Sequence, residues 1–256
     1  MACGSLHAQV TVPTGGWAVA LTITAIGGPY TVTIPAGTYY PIELLSAFIT
    51  QLDAASGSDG AFSYVASTAE NGDGTLQLLH ATQTFSLTWT STDLRDYLGF
   101  TLNLTPAASN FIGTASIQGI WLPDCPMSAE YGPSDSGHTE SDRSEMVSPR
   151  GDVSALKYQS RTVLPSIRWS HVTKPRARIS GELVVGASFE RWWRNTHNGE
   201  LSYFPVAPKV RVIWDANTLG TYTEYRLVGR SSTEMTRAVP EWSYLWPIEI
   251  KGIKVP

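Results

Sequence analysis

Residues 31–100 read TVTIPAGTYYPIELLSAFITQLDAASGSDGAFSYVASTAENGDGTLQLLHATQTFSLTWTSTDLRDYLGF. Two periodicities alternate along this stretch. Tyr30-Thr31-Val32-Thr33-Ile34 has the period of a half-buried strand, and Pro35-Ala36-Gly37 breaks it. Apolar residues then fall at Ile42, Leu45, Phe48, Ile49 and Leu52, the spacing of a helix with one buried stripe. Pro41 suits the first turn, where its missing N–H is no loss, and Glu43 suits the positive end of the helix dipole. Gly57, Asp59 and Gly60 mark the stop. Phe62-Ser63-Tyr64-Val65 and Leu76-Gln77-Leu78-Leu79 flank Asn71-Gly72-Asp73-Gly74, a hairpin signal. Thr84 to Trp89 alternates as a further strand. Thr92 reads as the cap of a short helix through Leu98 that ends at Gly99.

Outside this unit the composition points the same way. Charged residues make up 16% of the 256 and Trp, Tyr and Phe 11%, a bias that suits short strands and is too apolar for a disordered chain. The length allows one large β domain or two smaller ones. There is no run of about 18 apolar residues to span a membrane. No basic region followed by an apolar one opens the chain, which predicts no cleaved secretion signal. Cys3 and Cys125 are far apart and not spaced as metal ligands; two free buried thiols is the preferred reading over a disulfide.

Charge is distributed unevenly. Residues 1–126 hold one cation, Arg95, against eight acids, a balance of −7. Residues 127–256 hold seventeen Lys and Arg against fourteen acids, a balance of +3. Such asymmetry suggests that one half of a copy meets the other half of its neighbour, alongside the plainer reading of ordinary surface drift.

Taken in order, Ala8 to Val12 and Ala18 to Ile26 read as strands, and Thr101 to Ile120 continues as strands interrupted at Pro106 and Gly113. Between Ser128 and Asp152 apolar residues nearly vanish, which predicts a linker or arm. The expected organisation is therefore mainly β: an N-terminal β-rich domain over 1–127 with a helix at 41–55, a polar linker over 128–155, and a C-terminal β-rich domain over 156–256. Each domain is expected to be sandwich- or barrel-like with one or two short helices. In the second domain Ser188 caps a helix over 188–198 with Phe189, Trp192, Trp193 and Thr196 on one face, and Gly199 ends it. Strands follow over 201–206, 210–214, 224–228 and 244–255.

Chemistry is hard to find in this pattern. His7, His80, His138, His171 and His197 show no i,i+4 pairing and none adjoins a cysteine, so neither a metal site nor a cofactor is predicted. Ser136, His138, Glu140 and Asp142 contain the residue types of a nucleophile, base and acid, but a polar linker would not hold them rigidly enough for a triad. No catalytic residue is assigned. Asn71 to Gly74 has oxygen donors for calcium, without further acids at loop spacing, and reads as a plain turn. Lys157, Arg161, Arg168, His171, Lys174, Arg176 and Arg178 form a basic stretch interleaved with Tyr158 and Trp169, which suits subunit contact better than a nucleic-acid backbone. The candidate interface is Lys157, Arg161, Arg168, Arg176 and Arg178 against Asp93, Asp96 and Asp124. Trp17, Trp121, Trp214 and Trp242 lie near turns and are the candidates for exposed aromatic contacts, against the alternative of core burial.

Two stretches carry a family resemblance. The order Ile34-Pro35-Ala36-Gly37-Thr38-Tyr39, helix to Leu52, Gly74-Thr75-Leu76-Gln77-Leu78, Phe85 to Trp89 and Leu98-Gly99-Phe100 resembles a module of virion structural proteins in tailed phages and large DNA viruses. Phe189-Glu190-Arg191-Trp192-Trp193, Gly199 to Pro205 and Tyr225-Arg226-Leu227-Val228 resemble tail and tail-tip proteins of tailed phages. The resemblance implies a non-enzymatic tail protein of the tube or distal tip, forming homo-oligomeric rings. Its implied partners are copies of itself and neighbouring tail proteins, with DNA passing through a lumen without sequence-specific contact and with no membrane. Its implied place is the virion, after synthesis in the host cytoplasm. A capsid-associated or decoration protein, and a carbohydrate-binding adhesin, stand as alternatives.

Overall fold

The structure is a computed structural model. It describes residues 5–57, 61–66, 75–121, 138–147, 153–173, 178–179, 182–183, 192, 195–196, 201–205, 208–213, 222–232, 236–238 and 243–254. The elements run β1 (Ser5–Ala8), β2 (Val10–Val12), β3 (Trp17–Ile23), β4 (Gly27–Ile34), β5 (Gly37–Tyr39), α1 (Pro41–Ser56), β6 (Phe62–Ala66), β7 (Thr75–His80), β8 (Phe85–Trp89), α2 (Thr92–Tyr97), β9 (Leu104–Ala108), β10 (Asn110–Ser116) and β11 (Ile120–Trp121). They continue as β12 (His138–Val147), β13 (Val153–Thr173), β14 (Arg178–Ile179), β15 (Glu182–Leu183), β16 (Lys209–Ile213), β17 (Tyr222–Ser232), β18 (Thr236–Ala238) and β19 (Ser243–Lys254). The fold is mainly β, and the described pairings are antiparallel.

The segment that opened the reading folds as its periodicities require. In β3 buried and half-buried residues alternate from Trp17 to Ile23, and β4, β8 and β9 complete a sheet in the order β4-β3-β8-β9. α1 lays Leu44, Leu45, Phe48 and Leu52 onto this sheet, with Ile42 and Ile49 at the margins of the stripe. Pro41 opens it, the Tyr40 N–H donates to Glu43 Oε2 (3.0 Å), and Gly57 closes it at φ 68°. β6 and β7 pair as expected of a hairpin, from Phe62 opposite His80 to Ala66 opposite Leu76, with β10 on the far side of β7. The turn residues Asn71 to Gly74 lie outside the described residues. At α2 the expectation needs correction: Ser91 rather than Thr92 is the N-cap residue, and its Oγ accepts from the Ala18 N–H (2.9 Å), tying the helix start to β3.

Part of the long polar stretch, residues 138–147, departs from the expected linker, while 128–137 and 148–152 lie outside the described residues. Residues 138–147 form β12, paired over its whole length with β13 from His138 opposite Val163 to Val147 opposite Val153. Sparse apolar residues argue against a buried strand, not against one whose ladder is supplied by a neighbour, and the 21-residue β13 supplies it. Nor do the described contacts respect a boundary there. The largest sheet runs β11-β1-β16-β17-β19-β13-β12, so β1 and β11 of the first half pair within a sheet made otherwise by the second. The helix expected at 188–198 is described only at Trp192, Asn195 and Thr196, all helical; Ser188 and its neighbours lie outside the described residues.

Among the described residues three aromatic groups hold the layers. Trp89 stacks on Phe100 (centroids 5.5 Å) and meets Phe48 (6.4 Å), pinning α1 to β8. Phe85 takes Phe62 and Phe111 edge-on, each at 5.1 Å, and so joins the three-stranded sheet to the four-stranded one. Trp17, Tyr97, Tyr203 and Phe204 form the third, with ring centroids 5.1–6.2 Å apart, and it brings the 201–205 turn into the first half's core.

Among the described glycines Gly99 is the tightest backbone crossing. Its φ is +81°, a Cβ there would collide with the Ala115 carbonyl oxygen, and its own oxygen accepts from Thr114 N (2.9 Å) and Ala115 N (3.0 Å). Replacing it combines a left-handed conformation with overpacking. Gly99→Ala is expected to lower unfolding stability by about 3 kcal/mol, read as a shift of the urea midpoint at unchanged slope.

Candidate subunit surface and the polar node at Arg211

The register of β1, β16 and β17 sets Ile120, His7, Arg211 and Glu224 in one row across the largest sheet. Alternation along β16 buries Val210 and Val212 on one face and leaves Arg211 on the other, beneath the start of α1. There the guanidinium lies over the Tyr40 ring (3.7 Å to the centroid) and the Tyr222 ring (4.1 Å). Its Nη1 reaches Glu43 Oε1 at 2.7 Å, and its Nε donates to Glu224 Oε1 at 3.2 Å. Glu43 thus serves both helix capping and the link to the second half.

The electrostatics follow from this enclosure. Burial would lower the Arg211 pKa, but the bonds to Glu43 and Glu224 outweigh it and raise the value. Burial, then the Glu224 carboxylate, pushes the Tyr40 phenol up. His7 lies behind the cluster with Ser5 Oγ 3.2 Å from its Nε2; burial, with Arg211 adding, pulls its pKa down to about 3. A serine beside a histidine suggests a nucleophile and its base, yet Ser5 is 1% exposed and His7 3%, so no substrate atom reaches them.

His80 is likewise structural. Its Nδ1 accepts from Gln83 N (3.0 Å) and Thr82 N (3.3 Å), which places the proton on Nε2, and burial lowers its pKa against the opposing effect of Asp53. Asp53 itself, 9% exposed, accepts from the Phe62 N–H at 2.8 Å and anchors β6 to α1. Among the described residues no group of three or more His, Cys, Asp or Glu could hold a metal ion, and no helix is long and apolar enough to cross a membrane.

The candidate residues are scattered by the fold. Asp93 and Asp96 are exposed on α2, with Asp96 Oδ1 bound by Arg95 of the same helix at 2.8 Å; Asp124 lies outside the described residues. Lys157, Arg161 and Arg168 fall on β13, where Arg161 stands opposite Glu140 of β12 and Arg168 opposite Glu249 of β19, while Lys157 faces Arg143. Acidic counterparts within one sheet were invisible to a linear reading. Arg178 lies on β14, and Arg176 is outside the described residues.

Trp17 is not an exposed platform. It is 2% exposed at the centre of the third aromatic group, because alternation in β3 places it inward with Val19 and Leu21. Trp121 ends β11 opposite Leu6; Trp214 and Trp242 lie outside the described residues, as do Cys3 and Cys125. Of the polar set at 136–142, Ser136 is outside the description and His138, Glu140 and Asp142 alternate along β12.

No family model, no curated protein and no solved structure matches this chain.

The described surface of the first half sets exposed apolar side chains beside a few acids, Asp93 and Asp96 on α2 among them. Asp53 is buried, Glu43 and Asp96 are ion-paired, and Ile26, Val65, Leu102 and Ile112 are exposed at 46%, 51%, 75% and 60%. Val65, Gln77 and Ile112 stand in one row across β6, β7 and β10.

Arg211→Met is expected to cost about 2 kcal/mol, less than a fully buried pair because Glu43 remains 46% exposed; chemical denaturation measures it. The His7 pKa is lowered on folding, so the unfolded chain takes up a proton below pH 6.5 that the native chain refuses until about 3. Stability should be fully present above pH 6.5 and fall toward pH 3. In His7→Gln that slope should flatten, as read from unfolding midpoints across pH 4–7.

Proposed function

We propose that this chain is a structural subunit of a tailed-bacteriophage virion, a tail protein of the tube or the distal tail ring, and that it acts by assembling with copies of itself. The observation that carries this reading is the surface of residues 5–121. Among its described residues it offers large exposed apolar side chains, Ile26, Val65, Leu102 and Ile112, which a subunit buries against a sibling and a lone soluble domain seldom presents to water. The buried polar groups support it too. Arg211, His80 and Asp53 are each committed to holding strands and α1 in place, which leaves them unavailable to a substrate.

Rings require a heterologous contact, one patch meeting a different patch on the next copy. The acidic first half, at −7, and the cationic second half, at +3, supply two such unlike patches. Neighbouring tail proteins would cover the ends of the ring, and DNA would pass through a lumen without being read. The virion is then its location.

Electron microscopy with sizing of the purified protein tests this. Discrete rings or tubes are expected. A monomer retained on a glycan column would favour an adhesin, a reading already deprived of Trp17 as a platform; a particle decorated on its capsid would favour a capsid-associated protein.

A further inference from the structure

The small sheets differ in how their edges are finished. β4 and β9, the outer strands of the four-stranded sheet, each contain a proline, Pro29 and Pro106, and proline removes an N–H from an edge and discourages pairing. β10, an outer strand of the three-stranded sheet, has the sequence NFIGTAS, with neither a proline nor a charged residue. Its register against β7 decides which of its backbone groups stay open. His80 N donates to Ser109 O (2.9 Å), Asn110 stands opposite Leu79 and Ile112 opposite Gln77. Those two are therefore the non-hydrogen-bonded pairs of the ladder, and the N–H and C=O of Asn110 and Ile112 point away from β7. Beyond them the edge is closed, since Gly99 O takes Thr114 N and Ala115 N. Among the described residues nothing bonds to the outward groups of Asn110 or Ile112, and both residues are exposed.

We propose that a second copy of this chain adds to this edge, β10 against β10, antiparallel about a two-fold axis at Phe111. In that register Asn110 of each copy pairs with Ile112 of the other, and four hydrogen bonds satisfy every outward N–H and C=O of the two residues. Several features select a sibling over a foreign strand. The open groups are self-complementary at this one register. The absence of charge removes the like-charge repulsion that two-fold contacts otherwise bring across the axis. The Gly99 closure gives a longer foreign strand nothing more to bond. Three residues of strand cover far less than the roughly 800 Å² per partner of a stable dimer. The contact is accordingly weak alone and adds to others within an assembly. It rests on the self-association in the reading above, though not on a ring.

The test uses two single variants of the full chain, Asn110→Cys and Ile112→Cys, oxidised mildly alone and mixed, with the parent oxidised in parallel as the background from Cys3 and Cys125. Across a hydrogen-bonded pair the Cα atoms lie about 5.5 Å apart, within disulfide range, whereas like positions stand on the diagonal at roughly 9 Å, beyond it. The mixture should give at least tenfold more covalent dimer than either variant alone or than exposed Ile26→Cys, with thermal unfolding as in the parent. A mixture no better than the single variants overturns the proposal. So does preferential cross-linking of Ile112→Cys to Tyr64→Cys, which would mean head-to-tail pairing of β10 onto β6. Rings or tubes by electron microscopy without the mixed cross-link would remove this contact and leave the assembly reading standing; neither rings nor cross-link would end both.

Discussion

A four-residue strand, Ser5–Ala8, is buried on both faces and hydrogen-bonded on both edges, and the halves of the chain depend on it for their union. Leu6 and Ala8 lie on the same side as Val210 and Val212, facing the aromatic core. Ser5 and His7 lie on the other, His7 in the row that contains Arg211. A strand so enclosed must satisfy all its backbone groups, and it does so by pairing with β11 of its own half and β16 of the other. Its position explains why a histidine is kept neutral there: a charge at His7 would be desolvated and would face the Arg211 guanidinium.

Around that strand the two halves are locked in two ways of different character. On one face the lock is apolar, with Tyr203 and Phe204 against Trp17 and Tyr97, and it gains from burial alone. On the other it is ionic and directional, with Arg211 held between two rings and two carboxylates. Directional contacts fix the angle of α1 over the sheet, which burial by itself would leave loosely specified. Of the first half's acids, Glu43 is used in this way. Its described surface sets apolar side chains outward, and β10 leaves the outer edge of its sheet unfinished. Those are the properties that the proposed assembly employs.

Much of the first half was legible in the residues. The helix expected over 41–55 followed from a 3.6-residue stripe with Pro41 in its first turn and Gly57 after it, β4 and β8 from clean alternation, and β6 and β7 from the hairpin signal between them. These signals are local, because backbone periodicity selects which side chains share a face. Within the polar stretch residues 138–147 are strand for a related reason: composition reports burial, and the support of β12 comes from the ladder to β13. Trp17 failed as an exposed residue because nearness to a turn says nothing about which face of the strand it occupies.

The candidate site was hardly legible at all. Alternation along 209–213 predicts that Arg211 leaves the core face, but not that Glu43, Tyr40, Tyr222 and Glu224 converge on it from positions between 11 and 171 residues away. Likewise the sequence shows that β10 lacks proline and charge, while only the register against β7 determines that Asn110 and Ile112 present their open groups outward. The sequence by itself determined the elements, their buried faces and the mainly β class, since these depend on neighbours within a few residues. Tertiary structure alone decided the joining of the halves, the burial of His7 and Trp17 and the partners of each charge, because those energies arise between segments that chain order does not bring together.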